Sequence, residues 1–282
     1  KLAVMDEISK INEAVGFIRN RNANLVEVGV ILGSGLGGFI EHVEISTEIP
    51  YTEIPHFPVS TVEGHSGKLI LGKVGDKTVV VMAGRFHYYE GYTALEVVFP
   101  VRVMQALGAQ YLFVSNAAGG VNPGFNVGDL MIIKDHISFS IVNPLLGKNI
   151  AALGPRFPDM SEPYSKALVK KAHAIASTLG HTVREGIYYG VTGPTFETRA
   201  EYKMIHLMGG DAVGMSTVQE VIAATHCGMT VFAMSVITDL GIREEENIIT
   251  HQEVLDAANI AAPKLTAIFK TMIETLDLAS SN

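Results

Sequence analysis

The sequence predicts a single α/β domain spanning residues 1–282, with a largely parallel sheet covered by helices. Three observations point there. Short β-branched runs alternate with segments of helical period along the whole chain. Neither an internal repeat nor a linker of disordered composition interrupts that alternation. With 282 residues and 48% hydrophobic content, the chain is long and apolar enough to bury one large core.

Each element has its own signal. Met5, Ile8, Ile11, Val15 and Ile18 recur at helical spacing, predicting an amphipathic helix over 4–20. Val28–Leu32 reads as a short strand that runs into Gly33-Ser34-Gly35-Leu36-Gly37-Gly38. Pro50, Pro55 and Pro58 forbid a long helix and predict irregular chain. Leu69–Lys73 and Lys77–Ala83 flank Val74-Gly75-Asp76, a hairpin pattern. Thr93–Leu107 is predicted helical, capped by Thr93 and stopped by Gly108. Strands follow at Tyr111–Val114 and Leu130–Lys134, then a long loop over 138–160 that a compact domain keeps only for a purpose. Beyond it come helix Ser165–Leu179, strand Gly186–Val191, helix Thr198–Met208, strand Ala212–Met215, helix Thr217–Cys227, strand Thr230–Ile237 and helix Gln252–Leu276.

Bulk chemistry narrows the function. The net charge of −8 argues against non-specific nucleic-acid binding, which depends on neutralising phosphates, but leaves room for a local basic pocket. The single Cys227 excludes an internal disulfide and suits a reducing compartment. No apolar run reaches membrane-spanning length and the amino end lacks a signal-peptide core, so a soluble cytoplasmic protein is expected, with no membrane partner.

In such sheets ligands gather at the carboxyl ends of strands, and the chemistry-bearing residues cluster there. Thr78–Tyr92 opens as a buried strand and then delivers Arg85, His87, Tyr88, Tyr89 and Glu90. Arg85 offers a planar fork for an oxyanion, His87 a proton donor or shuttle, and Tyr89 a flat face for a sugar. Gly33–Gly38 satisfies G-x-G-x-x-G, with Glu53 at the distance of a ribose-binding acid. Three prolines replace the helix and parallel strand of a dinucleotide fold, so the reading favoured here is an anion loop offering backbone N–H groups and the Ser34 hydroxyl. His65 sits in Gly64-His65-Ser66-Gly67, as a loop residue or as part of a site. Asn116-Ala117-Ala118-Gly119-Gly120 would let a flat ligand lie against backbone, or serve close packing. Phe196 and Glu197 form an aromatic platform and carboxylate for a planar heterocycle, unless Glu197 serves the start of the helix at residue 198. Ser216, after Met215, is a helix cap or an anion ligand. Asp239 ends the last strand and His251 precedes the final helix; the acidic run after Arg243 reads as a solvated face. There is no metal-ligand spacing and no nucleophile elbow, so neither metal-dependent nor covalent chemistry is expected.

Taken together, Gly-Ser-Gly-Leu-Gly (33–37), Gly-His-Ser-Gly (64–67), Gly-Arg-Phe-His-Tyr-Tyr-Glu-Gly (84–91), Asn-Ala-Ala-Gly-Gly (116–120), Gly-Pro-Thr-Phe-Glu-Thr (193–198) and Gly-Met-Ser-Thr (214–217) resemble the trimeric purine nucleoside phosphorylases. The likeness runs in order along nearly the whole chain. It implies a distorted, barrel-like mixed sheet and a pentosyltransferase of purine salvage. That enzyme would convert inosine or guanosine and phosphate to free purine and ribose 1-phosphate, with phosphate as co-substrate and no cofactor. By resemblance Ser34, His65, Arg85, His87, the Ala117 backbone and Ser216 bind phosphate. Tyr89, Met215 and His251 hold ribose, and Phe196, Glu197 and Asp239 hold the base; His87, Glu197 and Asp239 are the candidate catalytic groups. Arg156-Phe157-Pro158 matches the segment that lends a phenylalanine to a neighbouring subunit, which implies a homotrimer.

Asp239 departs from the family's pattern, in which many inosine- and guanosine-using members carry asparagine. An amide donates to purine N7, whereas an ionised carboxylate only accepts. Either Asp239 is protonated in the active state, or 6-aminopurines are used better than usual. Methylthioadenosine phosphorylase, of the same fold, is the nearest alternative, against which His251 suits a 5′-hydroxyl better than a thioether. A nucleoside-binding protein without catalysis is the alternative from another class.

Overall fold

A computed structural model describes residues 6–59, 61, 66–241 and 249–277. The elements in order are α1 (Glu7–Arg19), β1 (Val28–Ile31), β2 (Glu44–Pro50), β3 (Lys68–Val74), β4 (Lys77–Ala83), α2 (Ala94–Leu107), β5 (Tyr111–Gly120), β6 (Leu130–Ile137), α3 (Lys166–Thr178), β7 (Val183–Gly190), α4 (Arg199–Leu207), β8 (Ala212–Gly214), α5 (Val218–His226), β9 (Thr230–Leu240) and α6 (His251–Glu274).

The strands form one mixed sheet in the order β2-β3-β4-β1-β5-β8-β7-β6-β9, and an additional β5–β9 pairing bends its second half into a closed ring. β1 pairs in parallel with β4 and β5, and β5–β9, β6–β7 and β7–β8 are also parallel. The β2–β3, β3–β4, β5–β8 and β6–β9 pairings are antiparallel. β5 is the seam, hydrogen-bonded to β1 near its start and to β9 along its whole length.

Strand alternation divides the core in two. Val80, Met82, Leu112 and Val114 pack with α1, α2 and α5. Val79, Val81 and Phe113 point the other way, onto α3 and α6. The helix ends are specified locally. Thr93 and Glu96 make a reciprocal capping box on α2, and Gly108 ends that helix in the left-handed region at φ 119°.

Several expectations change. Glu44–Pro50, where no element is predicted, is a strand. It is the edge strand, where a terminal proline removes no needed ladder bond. β5 runs on through Ser115–Gly120 instead of ending at Val114, because β9 supplies the pairing those small residues lack by propensity. Thr217, not Ser216, occupies the cap position of α5, at φ 71° and without a side-chain capping bond. His251 is the first residue of α6 rather than its predecessor.

Candidate active site

The carboxyl ends of β4, β5, β8 and β9, with the turn after β1 and the start of α6, surround one cavity of about 110 Å³. Ser34, Arg85, His87, Tyr89, Ala117, Phe196, Glu197, Met215, Ser216, Asp239 and His251 all line it. Two sequence candidates do not. Phe157 is 87% exposed and lines a separate groove with Arg156 and His136, while His65 lies outside the described residues, as does the acidic run 243–246.

Arg85 leaves β4 through Gly84, whose carbonyl accepts a 2.8 Å hydrogen bond from the buried Tyr51 hydroxyl. The side chain is 1% exposed. Its Nε and Nη2 donate to Glu220 Oε1 and Oε2 at 3.0 and 2.8 Å, and Nη1 donates to the Ser115 carbonyl at 2.6 Å. Glu220 lies in the first turn of α5 and was not anticipated from sequence, since 135 residues separate it from Arg85.

His87 stacks on Tyr89, with centroids 4.7 Å apart and planes 17° from parallel. Its Nδ1 is 3.0 Å from Glu90 Oε1, and its backbone N–H donates to the same oxygen at 2.8 Å. Thr61 donates to Glu90 Oε2 through both its N–H and its hydroxyl. Burial holds the His87 imidazole below its ordinary pKa, with Glu90 pulling the other way. Burial also works to raise Glu90, but the hydrogen bonds from His87 and Thr61 prevail and bring it down to about 2. Burial pushes the Tyr89 hydroxyl up to about 12, so it stays protonated at neutral pH. The His87–Glu90 pair was legible as an i, i+3 spacing but had been assigned no role.

Around Ser34 and Ser216 the backbone is tightly held. The Gly33 N–H donates to Ser115 Oγ at 3.2 Å, so that amide serves packing rather than an anion. A Cβ at Gly33 would lie 2.8 Å from Asn116 Cα, which accounts for the glycine. Asn116 Nδ2 donates to Thr217 Oγ1 at 2.8 Å, and Ser216 Oγ lies 3.1 Å from the same hydroxyl. The Thr217 hydroxyl thus ties Asn116 of β5 to Ser216.

Thr198 and Glu201 make the capping box of α4, which leaves Glu197 out of the helix start and in the cavity. Burial raises the Glu197 carboxyl above the usual glutamate range, and the nearby Asp239 and Glu201 charges add to the rise. Asp239 is buried, and its Oδ1 accepts from Thr238 Oγ1 at 3.0 Å. Gly193, at φ +65°, packs on the ribose-side candidates: a Cβ there would fall 2.3 Å from Met215 Sδ and 3.2 Å from Tyr89.

The cavity therefore carries a guanidinium, an imidazole and hydroxyls together with two carboxyl groups, aromatic rings and a thioether. Such a pocket suits an oxyanion, a sugar and a flat heterocycle with N–H donors. Among the described residues no group of three His, Cys, Asp or Glu is placed to hold a metal ion, and no helix is long and apolar enough to cross a membrane.

Comparison with known proteins agrees with this chemistry. The family model of the phosphorylase superfamily matches residues 27–274. The chain is 50% identical to purine nucleoside phosphorylase 1 of Geobacillus stearothermophilus over 266 residues, covering 94% of this chain and 97% of that protein. It is 46% identical to the purine nucleoside phosphorylase of Mus musculus, covering 89% and 90% of the two chains. Among solved structures, a Schistosoma purine nucleoside phosphorylase in complex with hypoxanthine superposes with a TM-score of 0.92 at 41% identity, covering 98% and 100% of the two chains. Isoform 2 of the Schistosoma mansoni enzyme, in complex with cytosine and ribose-1-phosphate, has a TM-score of 0.91 at 43% identity, covering 95% and 97%.

Proposed function

Because the chain belongs to the phosphorylase superfamily, we propose that it is a purine nucleoside phosphorylase, cleaving purine nucleosides with inorganic phosphate to free base and ribose 1-phosphate. One observation carries the reading: candidate oxyanion-binding and heterocycle-binding groups from six separate segments line a single cavity, with Tyr89, Met215 and His251 among them.

The bond between ribose C1′ and purine N9 breaks as a phosphate oxygen bonds to C1′, and the electron pair of the broken bond leaves on the purine. Catalysis then needs phosphate held beneath the sugar and charge accepted at the base. Preorganised donors and acceptors do this best where water is excluded. Arg85, His87, Ser34, Ser216 and the Ala117 N–H are assigned to phosphate, with His65 joining them by resemblance. Tyr89, Met215 and His251 are assigned to ribose. Phe196 stacks on the base and ionised Glu197 accepts from its N–H groups, while Asp239 donates to N7 when protonated and only accepts when ionised, the second case favouring 6-aminopurines.

Phe157 is assigned to the ribose site of a neighbouring copy. Its 87% exposure on a loop without regular structure supports a homotrimer in which the site is completed across the interface.

The test is release of free base from inosine, guanosine, adenosine and methylthioadenosine, with and without phosphate. Phosphate-dependent release of hypoxanthine from inosine is expected; release without phosphate, or none at all, would overturn the reading, and faster turnover of methylthioadenosine would redirect it.

A further inference from the structure

We infer that Glu220 is a positioning residue for phosphate, acting solely through Arg85, an inference that rests on the proposed function. An arginine side chain is long and has many rotamers, so its aim must be set by contacts the protein itself supplies. Nε and Nη2 of the guanidinium donate to the two oxygens of Glu220, and Nη1 donates to the Ser115 carbonyl. The carboxylate is bidentate, which fixes the plane as well as the position of the group.

Both partners are buried, with side-chain exposures of 1% and 3%, so the pair is not a surface ornament that solvent would screen. The carboxylate also cancels the arginine's charge, which would otherwise be buried alone before phosphate arrives. Glu220 stands in the first turn of α5, where the helix dipole favours a carboxylate, and four residues after Ser216, which lines the same cavity. A single helix end therefore sets two phosphate-side groups at once: the Ser216 hydroxyl directly, and the guanidinium of a strand 135 residues away through Glu220. Ser115 closes the arrangement, holding Nη1 through its carbonyl and the Gly33 N–H through its hydroxyl.

A merely structural ion pair and a positioning pair differ in what their loss does to the two substrates. Steady-state constants for inosine phosphorolysis are measured for the parent, Glu220→Gln, Arg85→Lys and the double variant. Glu220→Gln is expected to raise KM for phosphate by roughly tenfold while KM for inosine moves by less than about twofold. Once lysine replaces the fork, Glu220 has nothing to aim, so the double variant should bind phosphate no worse than Arg85→Lys alone. Equal rises in both KM values, or a double variant showing the product of the two single effects, would overturn the inference. Should Glu220→Gln not fold, Glu220→Asp, which keeps the charge but withdraws the carboxylate by one methylene, runs through the same cycle with the same two outcomes. A parent chain without phosphorolysis would count against the proposed function instead. Calorimetric titration of inorganic phosphate into the same four proteins would then decide the role of Glu220 by the same additivity.

Discussion

Glu90 Oε1 accepts both the backbone N–H of His87, at 2.8 Å, and a hydrogen bond from its Nδ1, at 3.0 Å. The carboxylate thereby fixes the tautomer: Nδ1 carries the proton, and Nε2 of the neutral ring is an acceptor. Donating to a phosphate oxygen through Nε2 requires the protonated ring, which the Glu90 charge favours and burial opposes.

Glu90→Gln should raise KM for phosphate by roughly tenfold, since a neutral amide no longer supports the imidazolium. It should also change acid stability. A carboxyl whose folded pKa is depressed contributes stability that is complete above its unfolded value near 4.5 and is lost as pH falls toward the folded value of about 2. Thermal unfolding between pH 2 and 5 should therefore be less steeply pH-dependent in the variant than in the parent; parallel curves would refute this.

Glu197 carries the opposite sign. Its folded pKa is raised, so the ionised form costs stability that grows as pH climbs from the unfolded value through the folded one. Glu197→Gln should therefore unfold at a higher temperature than the parent at pH 7, while kcat/KM for inosine drops by about a hundredfold or more. The acid limb of the parent's rate profile should lie above the ordinary glutamate range. A variant less stable at neutral pH would refute the assignment.

Asp239→Asn should raise the ratio of inosine to adenosine turnover by roughly tenfold, because the amide donates to N7 at every pH whereas the carboxyl donates only when protonated. The pH dependence of that ratio between 5 and 8 should flatten. Identical substrate ratios and identical profiles in parent and variant would remove Asp239 from base selection.

Phe157→Ala should raise KM for inosine by about fivefold or more and leave KM for phosphate unchanged. Mixing it with an Arg85→Ala chain offers a sharper readout. In mixed oligomers an intact Arg85 site can receive Phe157 from its neighbour, so part of the activity should return at low inosine. Failure of the mixture to exceed the sum of its parts would assign Phe157 to its own chain or to no site.

What the sequence revealed and what it hid divide along the range of the interaction. The Thr93 and Gly108 helix ends, the β3–β4 hairpin and the strand leading to Arg85 are coded within a few residues, and each lies where expected. The small residues 115–120 have no strand propensity of their own and become strand because β9 runs beside them. β2 was hidden by its terminal proline and by the exposed faces of an edge. Among the site residues, those with distinctive chemistry next to a strand end were visible. Glu220 was not, because a glutamate in the first turn of a helix looks like any other until folding brings Arg85 to it.

The seam at Tyr111–Gly120 has a consequence for any attempt to divide the molecule. Since that segment is bonded to β1 on one side and to β9 on the other, neither the open half nor the ring retains a complete set of neighbours without it. Fragments cut on either side of the seam should not fold as separate units, and reassembly from two peptides would succeed only where the break falls in an outer loop such as 143–158.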